Sequence, residues 1–163
     1  MKKQVAVASV VLVFSASFVS CAIARNTGKL PDDAVPLSAE ATKAIFSGKT
    51  INWEPAQTYW STDGKAIGFY PVKGKEGFGE GRWTVNGNEM CYHLEWRGAS
   101  KAEKPFISDS CAKYFKSGKK IWIENIKDEK KYQGDIWTGI ENKLVTGDKA
   151  SALAAAYKIK FGY

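Results

Sequence analysis

The sequence of 163 residues holds one histidine, His93, and no Cys-x-x-Cys pair. Nucleophilic triads need a histidine or an equivalent base oriented by a third group, so this chain has little to build one from. Met90, Tyr92, Leu94 and Trp96 alternate with Cys91, His93 and Glu95, so one face of this segment is strongly apolar and His93 lies off it, as an ordinary strand histidine does. The candidate metal ligands near one another are His93, Glu95, Glu89 and Asp109, and a facing pair such as His93 with Glu95 is too common to define a site. The carboxylates available for glycoside cleavage, Glu80, Glu89, Glu95, Asp109 and Asp135, stand in no distinctive setting. The glycines of Gly77-Phe78-Gly79-Glu80-Gly81 lead into Trp83 at the head of a strand, with neither a helix nor a Gly-Lys-Ser/Thr after them. Close strand approach, a bulge or a barrel corner explains them better than a phosphate loop. These absences point to a non-enzyme with no catalytic residues, no metal and no cofactor.

Charge is missing altogether from Gln4 to Ser20, directly after Met1-Lys2-Lys3. A basic start and an apolar stretch form a secretion signal. A membrane-spanning helix needs about 20 apolar residues, and this stretch is shorter and broken by Ser9, Ser15 and Ser17. Two processing sites compete. Ala22-Ile23-Ala24 is an A-x-A site, while Phe18-Val19-Ser20-Cys21 is similar to a lipobox with Phe18 where leucine is usual. Residues 1–24 are therefore expected to be a cleavable signal peptide, with lipidation at Cys21 as the alternative. The compartment follows: periplasm or secreted, or else an outer-membrane lipoprotein, with membrane contact only in that second case. Loss of 24 residues leaves 139, enough for one domain. Removing Lys2 and Lys3 lowers the formal charge from +7 to +5, too modest to imply a nucleic-acid partner.

Beyond the signal only Cys91 and Cys111 remain, and an even pair in an oxidising compartment reads as a disulfide. Cys91 lies in the apparent strand Glu89–Trp96 and Cys111 in Phe106–Phe115, and their midpoint, residue 101, falls in the middle of the connecting loop. In a hairpin the two would face each other at disulfide spacing. A loop of about twenty residues closed this way contributes roughly 3 kcal/mol by chain entropy.

Residues 25–36 carry Gly28, Pro31 and Pro36 without periodicity and read as a flexible leader; 37–163 reads as a single β-rich domain. Ser38 can cap a helix over Ala39–Ser47, stopped by Gly48, with Ala41, Ala44 and Ile45 on one face. After Gly48, short aromatic and β-branched runs alternate with turn residues. Strands are expected at Thr50–Glu54, Gln57–Thr62, Lys65–Val72, Arg82–Val85, Glu89–Trp96, Phe106–Phe115, Lys119–Ile126 and Tyr132–Ile140, with Asp63-Gly64, Asn86-Gly87 and Ser117-Gly118 among the turns. A second helix is expected over Ala150–Lys158, capped by Asp148. The fold class is mainly β: a small antiparallel barrel or curled sandwich of seven or eight strands with a short helix near each end.

Tryptophan is the one excess. Trp53, Trp60, Trp83, Trp96, Trp122 and Trp137 all fall within expected strands. Trp122 is out of phase with Ile121 and Ile123, and Trp137 with Ile136, so one member of each set must point away from the main core. Outward tryptophans beside Lys119, Lys120, Lys130 and Lys131 would make a binding platform, and Trp122, Trp137, Trp60 and Lys120 are the candidate ligand-binding residues.

The chain resembles a family of small exported bacterial proteins known as domain of unknown function 995. The likeness rests on Leu37-Ser38-Ala39-Glu40 through Phe46-Ser47-Gly48-Lys49-Thr50, on Gly79-Glu80-Gly81-Arg82-Trp83-Thr84-Val85, on Cys91-Tyr92-His93-Leu94-Glu95-Trp96-Arg97, and on Cys111 and Gly134-Asp135. It implies an exported domain with paired cysteines and supplies no activity. Gly81-Arg82-Trp83 is also similar to the strand-opening Gly-x-Trp of lipocalin-type barrels.

The leading functional expectation is a periplasmic or cell-surface binding module, non-catalytic, for an unknown envelope ligand, polymer or protein. An inhibitor of a hydrolase such as a protease or lysozyme is the alternative, and an envelope hydrolase the third reading. Intact mass of the exported protein tests the processing: a chain beginning at Arg25 is expected, whereas a diacylated chain beginning at Cys21 would replace that reading with a lipoprotein.

Overall fold

The computed structural model describes residues 25–26, 28–128 and 132–163. The expected signal peptide and Cys21 lie outside the described residues. The strands are β1 (Arg25–Asn26), β2 (Val35–Pro36), β3 (Lys49–Asn52), β4 (Gln57–Trp60), β5 (Lys65–Tyr70), β6 (Gly77–Asn86), β7 (Glu89–Arg97), β8 (Phe106–Ser117), β9 (Lys120–Lys127), β10 (Ile136–Thr138) and β11 (Leu144–Thr146). Two α-helices, α1 (Ala39–Phe46) and α2 (Ser151–Lys160), and a 3-10 turn at Ile140–Lys143 complete the described elements.

The strands form one antiparallel sheet in the order β1-β10-β9-β8-β7-β6-β5-β4-β3-β11, with β2 pairing β8 off that path. Chain length forces this sheet to curl. β10 and β11 are eight strand spacings apart, which would be about 38 Å in a flat sheet. Only residues 139–143 connect them, and that segment reaches at most about 20 Å. The two ends of the sheet therefore bend toward each other into a half-barrel with a concave inner face.

The architecture is mainly β, as the residue pattern requires, with more strands than the expected seven or eight. The additional ones are β1, β2 and β11, each two or three residues long and too short to display alternation. β1 and β2 lie within residues 25–36, read above as a leader, and pair with β10 and β8. The strand expected over Tyr132–Ile140 shrinks to β10, because Gly139 takes a left-handed φ of 96° and starts the 3-10 turn. Trp53 falls just beyond β3, in its connection to β4.

Local chemistry accounts for the helices and hairpins. The Ser38 hydroxyl accepts the Ala41 amide at 3.2 Å and starts α1, and Gly48 ends it with a φ of 73°. The Asp148 carboxylate accepts the Ala150 and Ser151 amides at 3.0 and 2.9 Å at the head of α2. β6 and β7 meet at Asn86-Gly87, in a register that sets Gly81 against Leu94. A Cβ on Gly81 would lie 1.8 Å from the His93 carbonyl oxygen, so only glycine fits there. On β7 and β8, Cys91 and Cys111 are direct cross-strand partners; their sulfurs are bonded at 2.09 Å and their Cα atoms are 4.1 Å apart.

The core has two parts. On the concave side, Phe46 of α1 enters one end of the half-barrel and meets Tyr114, Trp60 and Trp83 edge-on, at centroid separations of 5.2, 6.1 and 6.2 Å. On the convex side, α2 packs Ala150 and Ala154 against Phe69 and Phe78. Among the described residues, no helix is long and apolar enough to cross a membrane. Because Phe46 is 1% exposed and closes the end of the half-barrel, Phe46→Ala is expected to lower unfolding free energy by about 3–5 kcal/mol. Urea denaturation measures it, and a loss below about 1 kcal/mol would show that the plug carries little of the stability.

Candidate functional site

Below the Phe46 plug the concave face is hollow. The cavity has a volume of about 440 Å³, within the range of small-molecule sites. Alternation along the strands decides what faces it. From β7 come Met90, Tyr92, Leu94 and Trp96, and from β8 Ser108, Ser110, Ala112 and Tyr114. Ile51 of β3, Thr58 and Trp60 of β4, Asn125 of β9, Trp137 of β10 and Ile140 complete the wall. The lining is aromatic and aliphatic with a strip of hydroxyls on one side, where Ser108 Oγ lies 3.4 Å from Tyr92 Oη.

The open end is polar, and one amide organises it. Asn125 Oδ1 accepts the Trp137 indole N–H at 3.1 Å, which fixes the orientation of that ring. Asn125 Nδ2 donates to the Tyr132 carbonyl oxygen at 3.2 Å and reaches Asp128 Oδ2 at 3.4 Å. The Asn125 backbone pairs with Asp135 and Gly134, so a single residue ties the β9–β10 connection to the cavity wall. Asp128, Tyr132 and Asp135 contribute to the rim on this side, and Trp53 and Lys143 do so from across it. The Lys143 ammonium lies 5.9 Å from the centre of the Trp53 ring.

The sequence-derived candidates separate in space. Trp60 and Trp137 line the cavity; Trp60 is 1% exposed, and its indole N–H has no acceptor among the described residues. Trp122 lies on the opposite face of β9, half-buried and paired in register with Phe115. Lys120 begins β9, exposed, with Ser117 as its register partner. Of each out-of-phase set, then, Trp137 turns inward and Trp122 outward.

The polar groups weighed for catalysis or metal binding mostly occupy the outer face. Exposed His93 stands opposite Asp109, whose carboxylate is paired with Lys127. Glu95 pairs with Arg97 at 2.7 Å and Glu80 with Lys158 at 2.8 Å. Asp135 is the exception, at the cavity rim. Glu89 lies near Cys91 and Cys111, but disulfide sulfurs present no thiolate to a metal ion. The glycine-rich segment is explained by close approach: a Cβ on Gly79 would lie 2.9 Å from the Trp96 ring. The lining residues Ser108, Ser110 and Asn125 carry no signal in the sequence that singles them out. Alternation marks Tyr92 and Trp96 as inward, but no local signal tells a hollow interior from a filled one.

Residues 10–159 match the family described as protein of unknown function (DUF995). No curated protein and no solved structure matches the chain.

Burial pushes the hydroxyls of Tyr92 and Tyr114 above their ordinary 10.0; for Tyr92, hydrogen bonds from Ser108 and Ser110 act against it. Both are neutral when folded and would ionise near that value when unfolded. The unfolded chain therefore loses protons first, and stability is complete below about pH 10 and falls as pH rises beyond it. Alkaline titration followed by tyrosinate absorbance is expected to show Tyr114 ionising only with unfolding, and Tyr114→Phe to flatten the loss of stability. Smooth ionisation of every tyrosine without unfolding would contradict the burial of Tyr114.

Proposed function

Because the chain belongs to the DUF995 family, whose description assigns no function, its role has to be argued from the cavity, and we propose an exported, non-catalytic binding module for a small, largely apolar molecule. The observation that carries this reading is a hollow of about 440 Å³ inside a domain otherwise plugged by packed aromatics. The hollow opens to solvent and its wall is largely apolar, so a ligand that covers this concave surface gains by removing it from water. Its shape supports the reading too: rings and aliphatic side chains offer apolar burial within, while Asn125, Asp128, Asp135 and Lys143 at the rim suit the polar end of an amphiphile. The one histidine of the sequence, His93, is exposed on the outer face, opposite Asp109 and away from the cavity lining, which favours binding over hydrolysis. In finer architectural terms the domain is a ligand-holding half-barrel, the hollow counterpart of the barrel expected above.

Titration with the neutral dye N-phenyl-1-naphthylamine tests the proposal. Saturable fluorescence enhancement is expected, with energy transfer from Trp60, Trp96 and Trp137. Ser108→Phe, which fills the cavity from β8, is expected to weaken binding at least about tenfold while costing about 1–3 kcal/mol in stability. Absence of enhancement, or equal binding by a folded Ser108→Phe variant, would refute it.

A further inference from the structure

We propose that Trp96 is a partition that sets the length of the ligand, a reading that rests on the binding function above. A second chamber of about 420 Å³, open to solvent, lies beside the first between the segments 70–77 and 97–106. Two residues face both spaces, Trp96 and Ala56. Ala56 contributes a single methyl group, so the separation is the work of the indole. Tyr70 and Phe106 give the second chamber apolar surface, and its far side carries charge of both signs, from Lys75, Arg97 and Lys104 and from Glu76 and Glu103.

The backbone around Trp96 is shaped to hold the ring in place. Gly79 of β6 is its cross-strand partner, and Gly68 of β5 is the partner of Gly79 in turn. A Cβ on Gly79 would come within 2.9 Å of the ring, and one on Gly68 within 2.5 Å of its far edge. Two adjacent strands thus lack side chains where the indole crosses them, and the ring lies against bare backbone. A straight-chain amphiphile whose tail fills the first chamber runs out of room at this ring. Removing the ring joins the chambers, and the tail continues along Tyr70 and Phe106.

The test is affinity across the alkanoates from octanoate to hexadecanoate, read by displacement of N-phenyl-1-naphthylamine from the full mature chain. For the wild type, affinity is expected to rise about fourfold per methylene buried and then level off. In Trp96→Ala the rise should continue past the wild-type plateau, so that the ratio of hexadecanoate to octanoate affinity, which does not depend on any uniform loss from the missing ring, is at least about tenfold greater than in wild type. Trp96→Phe should move the plateau by less. Gly68→Ala, whose new methyl drives the ring into the first chamber, should shorten it, and these two variants decide the matter if Trp96→Ala does not fold. Parallel length profiles in wild type and folded variants overturn the partition and leave the binding function standing. Dye binding with no alkanoate binding at all likewise overturns the partition alone, whereas failure of the wild type to bind either probe overturns both.

Discussion

A five-residue connection between β10 and β11 constrains the whole molecule. It joins strands at nearly opposite ends of a ten-strand path, and it is too short to do so unless the sheet curls. Curling turns every second side chain of six strands toward one concave space, and it is this space, rather than any sheet face, that has to be filled or used. The 3-10 turn within the connection supplies Ile140, 1% exposed, to the cavity wall. The same segment that closes the molecule also lines its hollow.

Filling is uneven along that space. At the α1 end, Phe46, Trp60, Trp83 and Tyr114 meet edge-on and leave no room, and the Trp83 indole N–H is satisfied by the Ser61 carbonyl at 3.0 Å. At the other end the side chains shorten to serine, threonine and alanine on β4 and β8, and the wall recedes. The single Asn125 amide then holds Trp137 and the β9–β10 connection in place around the opening. The packed aromatics and those that line the hollow are thus one continuous set, divided by what stands opposite them.

Charge follows a similar division. On the outer face Glu80, Glu95 and Asp109 each have a basic partner, all of them solvent-exposed pairs of small energetic weight. Their role is to keep a mildly basic surface mixed in sign. The cavity rim instead brings Asp135, Asp128 and Lys143 around an apolar interior. Charges there stand at the mouth of the hollow, and Asp128 also meets the Asn125 amide at 3.4 Å.

What the sequence determined by itself was local: the Ser38 cap and Gly48 stop of α1, the Asn86-Gly87 hairpin, the inward phase of Met90, Tyr92, Leu94 and Trp96, and the opposition of Cys91 and Cys111 about residue 101. Each depends on residues adjacent in the chain or paired across one turn, where backbone periodicity is enough. The tertiary structure alone decided that β1, β2 and β11 exist, since two or three residues become a strand only when a neighbour offers its hydrogen bonds. It decided that Trp137 faces inward and Trp122 outward, because phase within β9 and β10 shows that they differ from their neighbours but not which side is concave. It also decided that Gly68 and Gly79 underlie Trp96, and that the interior is hollow. A cavity is the volume left between side chains from six strands, and no segment of the sequence contains it.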